Sequence, residues 1–145
     1  MDYLYKRLEA SDVEDFKKLL LVFLRVFKNA PYDTGDNDLK MLLERPDYYV
    51  VAAFDKDIVI GGATGYELKL PNTKNELYMY DLAVEEKYRK QGIATALVDE
   101  LKVHAKKNDV SVMFVEAETN DHDAVGFYRS LGAEQIKVEH FNIKM

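Results

Sequence analysis

The stretch that most constrains this chain is Tyr78 to Leu101, YMYDLAVEEKYRKQGIATALVDEL. It opens as an alternating run of aromatic and apolar residues, the pattern of a half-buried strand. A short charged segment follows. Arg89-Lys90-Gln91-Gly92-Ile93-Ala94 then leads into a helical pattern with Ala94, Leu97, Val98, Leu101 and Ala105 on one face. A strand feeding a basic, glycine-bearing turn that opens a helix is a device for holding phosphate, because the turn's N–H groups and the helix N-terminus both present positive partial charge. Basic side chains there oppose the helix dipole unless an anion is present. Gly92 and Ala94 are small enough to let a ligand approach the backbone. The turn lacks the Gly-Lys-Ser/Thr ending of a Walker loop and the three spaced glycines of a dinucleotide fingerprint. Taken alone, the hexapeptide also reads as a helix start with solvated basic residues; the strand before it and the helix after it favour the ligand.

The rest of the chain is organised around that unit. Tyr3 to Leu8 reads as a first strand. Ser11-Asp12-Val13-Glu14 has the capping-box form and should start a helix with Val13, Phe16, Leu20, Phe23 and Phe27 on one stripe. A polar loop and a short helix over about 37–44 follow, ending before Pro46. Tyr48–Phe54 and Ile58–Leu70 form a hairpin around Asp55-Lys56-Asp57, with Gly61-Gly62 marking a bulge or a close backbone approach. Glu76–Val84 is the strand of the opening stretch. After the helix come an apolar strand over Val110–Ala117, buried on both faces in its first half, and a helix over about Asp121–Leu131 with Gly132 as its C-cap. A last alternating strand runs over Ile136–Ile143. The order β, α, α, β, β, β, α, β, α, β describes one α/β domain over residues 1–145: a mixed central sheet, mostly an antiparallel meander, flanked by helices.

Composition narrows the chemistry. There is no cysteine among the 145 residues, which excludes disulfides, thiolate metal sites and a cysteine nucleophile. The formal charge of −6 argues against nucleic acid, whose phosphates require excess Lys and Arg, and suits a cationic partner. No run approaches the roughly 18–20 apolar residues needed to cross a bilayer, and the first residues lack a signal-peptide core. A cytoplasmic protein with no membrane partner is expected. His104, His122 and His140 are dispersed without ligand spacing, so no metal is expected.

Asp81-Leu82-Ala83-Val84 followed by Arg89-Lys90-Gln91-Gly92-Ile93-Ala94 resembles the acetyl-CoA-binding motif of the GNAT superfamily of N-acetyltransferases. The likeness extends over 76–105, Ala124-Val125-Gly126-Phe127-Tyr128 and Glu139-His140-Phe141-Asn142-Ile143, where the chain is similar to the aminoglycoside 3-N-acetyltransferases. The first 45 residues add little to it. The resemblance implies the GNAT fold, splayed at the cofactor site, and acetyl transfer from acetyl-CoA to an amine of a cationic small molecule in a ternary complex. The 3-amino group of an aminoglycoside antibiotic is the specific expectation, and the resemblance allows a homodimer. It further implies that the N–H groups of Gln91, Gly92, Ile93 and Ala94 hold the CoA pyrophosphate, with charge from Arg89 and Lys90 and a hydroxyl from Thr95. Leu82, Ala83 and Val84 would line the pantetheine arm, and an N–H near Leu82 or Ala83 would polarise the thioester carbonyl. Many members carry Asn where this chain has Asp121; the aminoglycoside enzymes resemble it in having Asp.

Amine acetylation needs a neutral amine, a stabilised oxyanion and a protonated leaving thiolate. The resemblance makes Tyr128 the general acid; the pair Phe127-Tyr128 also reads as ordinary core aromatics. Asp81 lies in an otherwise apolar strand, where an isolated carboxylate is costly and its pKa is raised. It is the candidate base or amine-orienting group, against a hydrogen-bonded structural role at a bulge. Glu116 and Glu118, two apart on the next strand, should share a face. With Asp121 and Asp123 they form a candidate acidic wall for a cationic acceptor, or an ordinary solvated face. Other acceptors (a polyamine, an amino-acid derivative, a protein amine) and a non-catalytic acyl-CoA-binding module are the competing readings.

Overall fold

The computed structural model describes residues 2–145. The chain divides into two compact units, one ending at Val115 and one covering Glu116–Met145. The first contains β1 (Leu4–Arg7), α1 (Val13–Phe27), α2 (Asp36–Glu44), β2 (Tyr48–Asp55), β3 (Ile58–Leu68), β4 (Asn75–Val84), α3 (Ile93–Lys106) and β5 (Val110–Phe114). The five strands form one mixed sheet in the order β1-β2-β3-β4-β5. The first four are an antiparallel meander; β5 runs parallel to β4, which the long helical connection through α3 makes possible. This is the α/β GNAT fold. Among the described residues no helix is long and apolar enough to cross a membrane.

α1 begins differently from the capping-box expectation. Ala10–Asp12 form a 3-10 turn, and it is Asp12 whose carboxylate accepts from the Glu9 N–H, at 2.8 Å. Lys6 Nζ holds the same carboxylate at 2.9 Å. A capping box is therefore present, but between Glu9 and Asp12 rather than between Ser11 and Glu14. The buried stripe of α1 is Phe16, Leu19, Val22 and Phe23, while Phe27 is partly exposed. Burying each of these side chains contributes about 1.5–3 kcal/mol.

That stripe packs with Leu39 and Leu43 of α2 against Tyr48, Val50, Ala52, Phe54 and Ala83 on one face of the sheet. α3 packs on the sheet as well, with Ile93, Leu97, Val98, Leu101 and Ala105 buried. The glycine pair is where α1 comes closest. A Cβ at Gly62 would lie 2.4 and 2.6 Å from the two Leu19 methyls and 2.7 Å from the Val51 carbonyl oxygen. One at Gly61 would meet the Ala83 oxygen at 2.7 Å. The β2–β3 ladder also slips by one residue beside this pair, leaving Ile60 as the extra residue.

Two expectations give way after α3. β5 stops at Phe114, and its first half is not buried on both faces: Val112 is exposed, because β5 is an edge strand of the described sheet. In the second unit, α4 (His122–Ser130) is followed by Gly132 at φ 76°, whose N–H bonds back to Arg129 O at 3.0 Å. That is the glycine C-cap read from the sequence. Residues 133–145 carry no strand, so Ile136–Ile143 alternates without forming one. A period-two pattern favours pairing, but only a ladder partner makes a strand.

Replacing Gly62 with alanine should destabilise the chain by about 1–3 kcal/mol, since the new methyl meets a carbonyl oxygen that cannot rotate away. A urea unfolding midpoint unchanged from the parent would contradict the close approach.

Candidate functional site

The site is built on β4. Its pairing with β3 matches Thr64 to Asp81 and Gly65 to Met79, so Tyr80 is an extra, bulged residue. Strict alternation would put Asp81, three residues beyond Tyr78, on the opposite face. The bulge cancels that inversion. Asp81 therefore joins the face of Tyr66 and Tyr78, and Thr64 Oγ1 donates to Asp81 Oδ2 at 2.7 Å. Beyond the bulge β4 also loses its other neighbour: the ladder to β5 runs from Asn75–Val110 to Tyr78–Phe114 and stops. Among the described strands none pairs with that edge of β4 over 79–84, which is the splay.

Asp81 is partly buried, and burial pushes its carboxyl above the usual carboxylate range while the Thr64 hydrogen bond pulls the other way. Around it stand phenols that the sequence reading did not single out. Tyr48 and Tyr66 lie with ring centroids 4.8 Å apart, and Tyr80 meets Tyr66 edge-on at 6.0 Å. Tyr32, in the loop between α1 and α2, is 44% exposed. Burial first, and then in part the charge of Asp81, raise the phenol pKa of Tyr32, Tyr48 and Tyr66, so all three stay neutral donors beside the carboxylate. The signal that could have found them was the pairing register. Tyr48 opens β2 and Tyr66 nearly closes β3, but the extra residue at Ile60 shifts their alignment by one.

The turn after β4 presents an uncapped helix start. Gly92 takes a left-handed φ of 81° as the N-cap of α3, no side chain caps it, and the first helical bond runs from Ala96 N–H to Gly92 O at 3.0 Å. The N–H groups of Ile93, Ala94 and Thr95 precede that bond. A Cβ at Gly92 would meet nothing within 4 Å, so its backbone faces open space. Ile93 has its side chain in the core and offers only its N–H. Lys90 is also left-handed, at φ 60°. The turn is braced on three sides: Arg89 Nε donates to Val84 O at 3.1 Å, Tyr3 OH donates to Gln91 Oε1 at 2.6 Å, and Tyr88 OH donates to Asp55 Oδ2 at 2.9 Å. Arg89 and Gln91 thus hold the turn's shape through their side chains. Open N–H groups at a left-handed glycine and a helix N-terminus fit a pyrophosphate.

The remaining expected residues stand in the second unit. Glu116 and Glu118 follow the end of β5 and are not strand neighbours, because the strand stops at Phe114. His140 Nδ1 lies 3.4 Å from Glu116 and its Nε2 lies 2.8 Å from Asn142 Oδ1. Asp121 is the N-cap of α4 and accepts from the Ala124 N–H at 3.1 Å. Its carboxylate has a structural partner, and Asp123 sits exposed in the first turn. Tyr128 is half-buried on α4, and burial, helped by the charge of Asp121, pushes its phenol up to about 12. His104 pairs with Glu100 at 3.0 Å along α3.

Residues 13–133 match the acetyltransferase (GNAT) family model, and the chain belongs to that family of N-acetyltransferases. It is similar to an N-alpha-acetyltransferase of Saccharolobus solfataricus, at 31% identity over 77% of this chain and 81% of that protein. It is also similar to the solved structure of the aminoglycoside acetyltransferase HMB0005 from an uncultured soil metagenomic sample, at 32% identity, 100% and 99% coverage and a TM-score of 0.91. A second metagenomic aminoglycoside acetyltransferase, meta-AAC0020, solved in complex with sisomicin, matches at 28% identity, 99% and 96% coverage and a TM-score of 0.93. Enzymes of this family use acetyl-CoA.

Removing the Thr64 donor has a signed consequence. The hydroxyl stabilises the ionised form of Asp81, so Thr64→Val should move its titration midpoint upward, and Thr64→Ser should leave it near the parent value. A carboxyl-carbon NMR titration in which Thr64→Val lowers the midpoint would refute the assignment.

Proposed function

We propose that this enzyme moves acetyl from acetyl-CoA to an amine of a cationic small molecule, the 3-amino group of an aminoglycoside being the specific acceptor. The observation that carries the reading is Asp81. It is a partly buried carboxylate, held by Thr64 among neutral phenols, on the strand whose outer edge comes free at the same bulge. A carboxylate there attracts an ammonium, and its raised pKa suits it to accept the proton the amine must lose. On this reading the open edge of β4 at Leu82, Ala83 and Val84 receives the pantetheine arm by strand addition. Gln91 through Thr95 hold the pyrophosphate through backbone N–H groups, with Lys90 and Arg89 adding charge. Tyr128, kept protonated by a pKa of about 12, is the donor to the leaving sulfur. Glu118, Glu116, Asp123 and Asp121 supply a weaker, solvated attraction for a polycation. The likeness to aminoglycoside acetyltransferases over nearly the whole chain supports the acceptor class.

The N-alpha-acetyltransferase relative favours a second reading, in which the acceptor is a protein N-terminus. A panel of aminoglycosides, polyamines and N-terminal peptides, followed by CoA release, separates the two. Sisomicin- or gentamicin-type amines should lead by at least tenfold in kcat/KM; a peptide turning over faster would transfer the assignment to the second reading.

Asp81→Asn should abolish most turnover without weakening the fold. Where the carboxylate is ionised in both states, a folded-state pKa raised by burial counts against folding, and that cost fades as the pH falls through the raised folded-state value and is gone below the unfolded one. The amide removes the charge, so its unfolding free energy at pH 7 should equal or exceed that of the parent. A variant that is both active and less stable would contradict the role. Tyr128→Phe should lower kcat by about 10²-fold with little change in the KM for acetyl-CoA; full turnover across the pH range would remove Tyr128 from the mechanism.

A further inference from the structure

An aromatic rung crosses four strands beside the proposed acceptor carboxylate. Tyr48, Tyr66, Tyr78 and Phe114 are successive cross-strand partners on β2, β3, β4 and β5. Tyr78 and Phe114 stack at 4.8 Å with 11° between their planes. Tyr80 leans on the rung, edge-on to Tyr66 at 6.0 Å and to Tyr78 at 5.6 Å. Exposure rises away from the core, from 7% at Tyr48 to 36% at Phe114 and 62% at Tyr80.

Tyr80 contributes little to the core in that position. A lone exposed aromatic is unremarkable on a surface; this one sits on a bulge, backed by two rings, with Asp81 as the next residue on the same face. Ring faces carry negative potential and attract cations, most strongly where water is partly displaced. They also bury broad apolar area against a flat partner. A saturated six-membered ring bearing ammonium groups offers both features, a flat C–H face and a positive charge. A linear polyamine offers the charge on a narrow methylene chain and leaves most of the rung uncovered.

Resting on the acetyl-transfer reading above, we infer that Tyr80, with Tyr66 and Tyr78 behind it, is a specificity-determining platform. It stacks the ring that carries the acceptor ammonium while Asp81 holds the charge. The enzyme therefore selects ring-borne amines over linear polyamines.

The test is calorimetric binding of sisomicin and of spermidine to the parent chain, Tyr80→Phe and Tyr80→Ala, with acetyl-CoA affinity as the control for folding. Tyr80→Phe keeps the ring and should bind sisomicin within about twofold of the parent. Tyr80→Ala should weaken sisomicin by about tenfold, change spermidine less, and leave acetyl-CoA affinity unaltered. Unchanged sisomicin affinity in Tyr80→Ala overturns the platform. So does a Tyr80→Phe variant as weak as Tyr80→Ala, which would assign the effect to the hydroxyl. Equal losses for spermidine and sisomicin, or a parent chain that prefers spermidine, overturn the ring selectivity. Turnover is read separately: tight sisomicin binding without CoA release on adding acetyl-CoA sinks the acetyl-transfer reading and leaves the platform standing.

Discussion

The bulge at Tyr80 is the constraint on which the site depends. A regular β4 would aim Asp81 at the face opposite Tyr78, away from Thr64. An unpaired carboxylate without that donor costs several kcal/mol or gives up its charge. One extra residue reverses the facing of everything beyond it, so Asp81 meets Thr64 and Ala83 still reaches the core beneath α1. The pairing with β5 ends next to it, at Tyr78. Re-aiming a side chain and terminating a ladder are the two things bulges do. Here they coincide, which puts a carboxylate and a free backbone edge on the same short segment.

The turn before α3 solves a different problem, that of keeping polar groups available without letting them collapse onto the protein. Burial of Ile93 and Leu97 fixes where the helix starts. Gly92 reaches the left-handed conformation without the Cβ penalty other residues carry. The Gln91 carbonyl oxygen, which could have capped the helix, is engaged by Tyr3, and Arg89 reaches back to the Val84 carbonyl. Glu85, whose charge would repel an anion nearby, is matched by Arg25 of α1, whose Nε lies 2.8 Å away. The positive end of the helix is left to the solvent side by construction.

Periodicity and turn chemistry carried most of the fold. The helices and strands through α4 start and stop near their sequence positions, because Pro46, the charged turn at 55–57, Gly92 and Gly132 act locally. What sequence alone could not supply was tertiary register. Nothing in YMYDLAV announces that Tyr80 is the surplus residue, since a bulge is a property of two strands. The aromatic rung was hidden for the same reason: its members are far apart in sequence and meet only through pairing. Glu116 and Glu118 show the converse failure. Their spacing implied a shared face, but a face exists only where a strand does, and β5 ends at Phe114. Asp121 caps α4 through its carboxylate, a structural role that its residue type and its place before the helix already indicate.

Charge counting and site electrostatics point to different parts of the molecule. The net charge of −6 comes mostly from exposed carboxylates, each screened by water and salt over about 8–10 Å. Such groups draw a polycation toward the protein and discriminate poorly between one amine and another. Asp81 works in a medium of lower effective dielectric, where the same charge interacts several times more strongly at equal distance. Neutral phenols stand around it, and on the proposed reading an incoming ammonium supplies its counter-charge. The desolvation that raises the pKa of Asp81 in the free chain is therefore the same term that deepens the attraction for a cation, and binding relieves a cost already present in the fold. On the proposed reading, specificity for an amine follows from one partly buried carboxylate and the rings beside it, and general acidity contributes the rate of encounter.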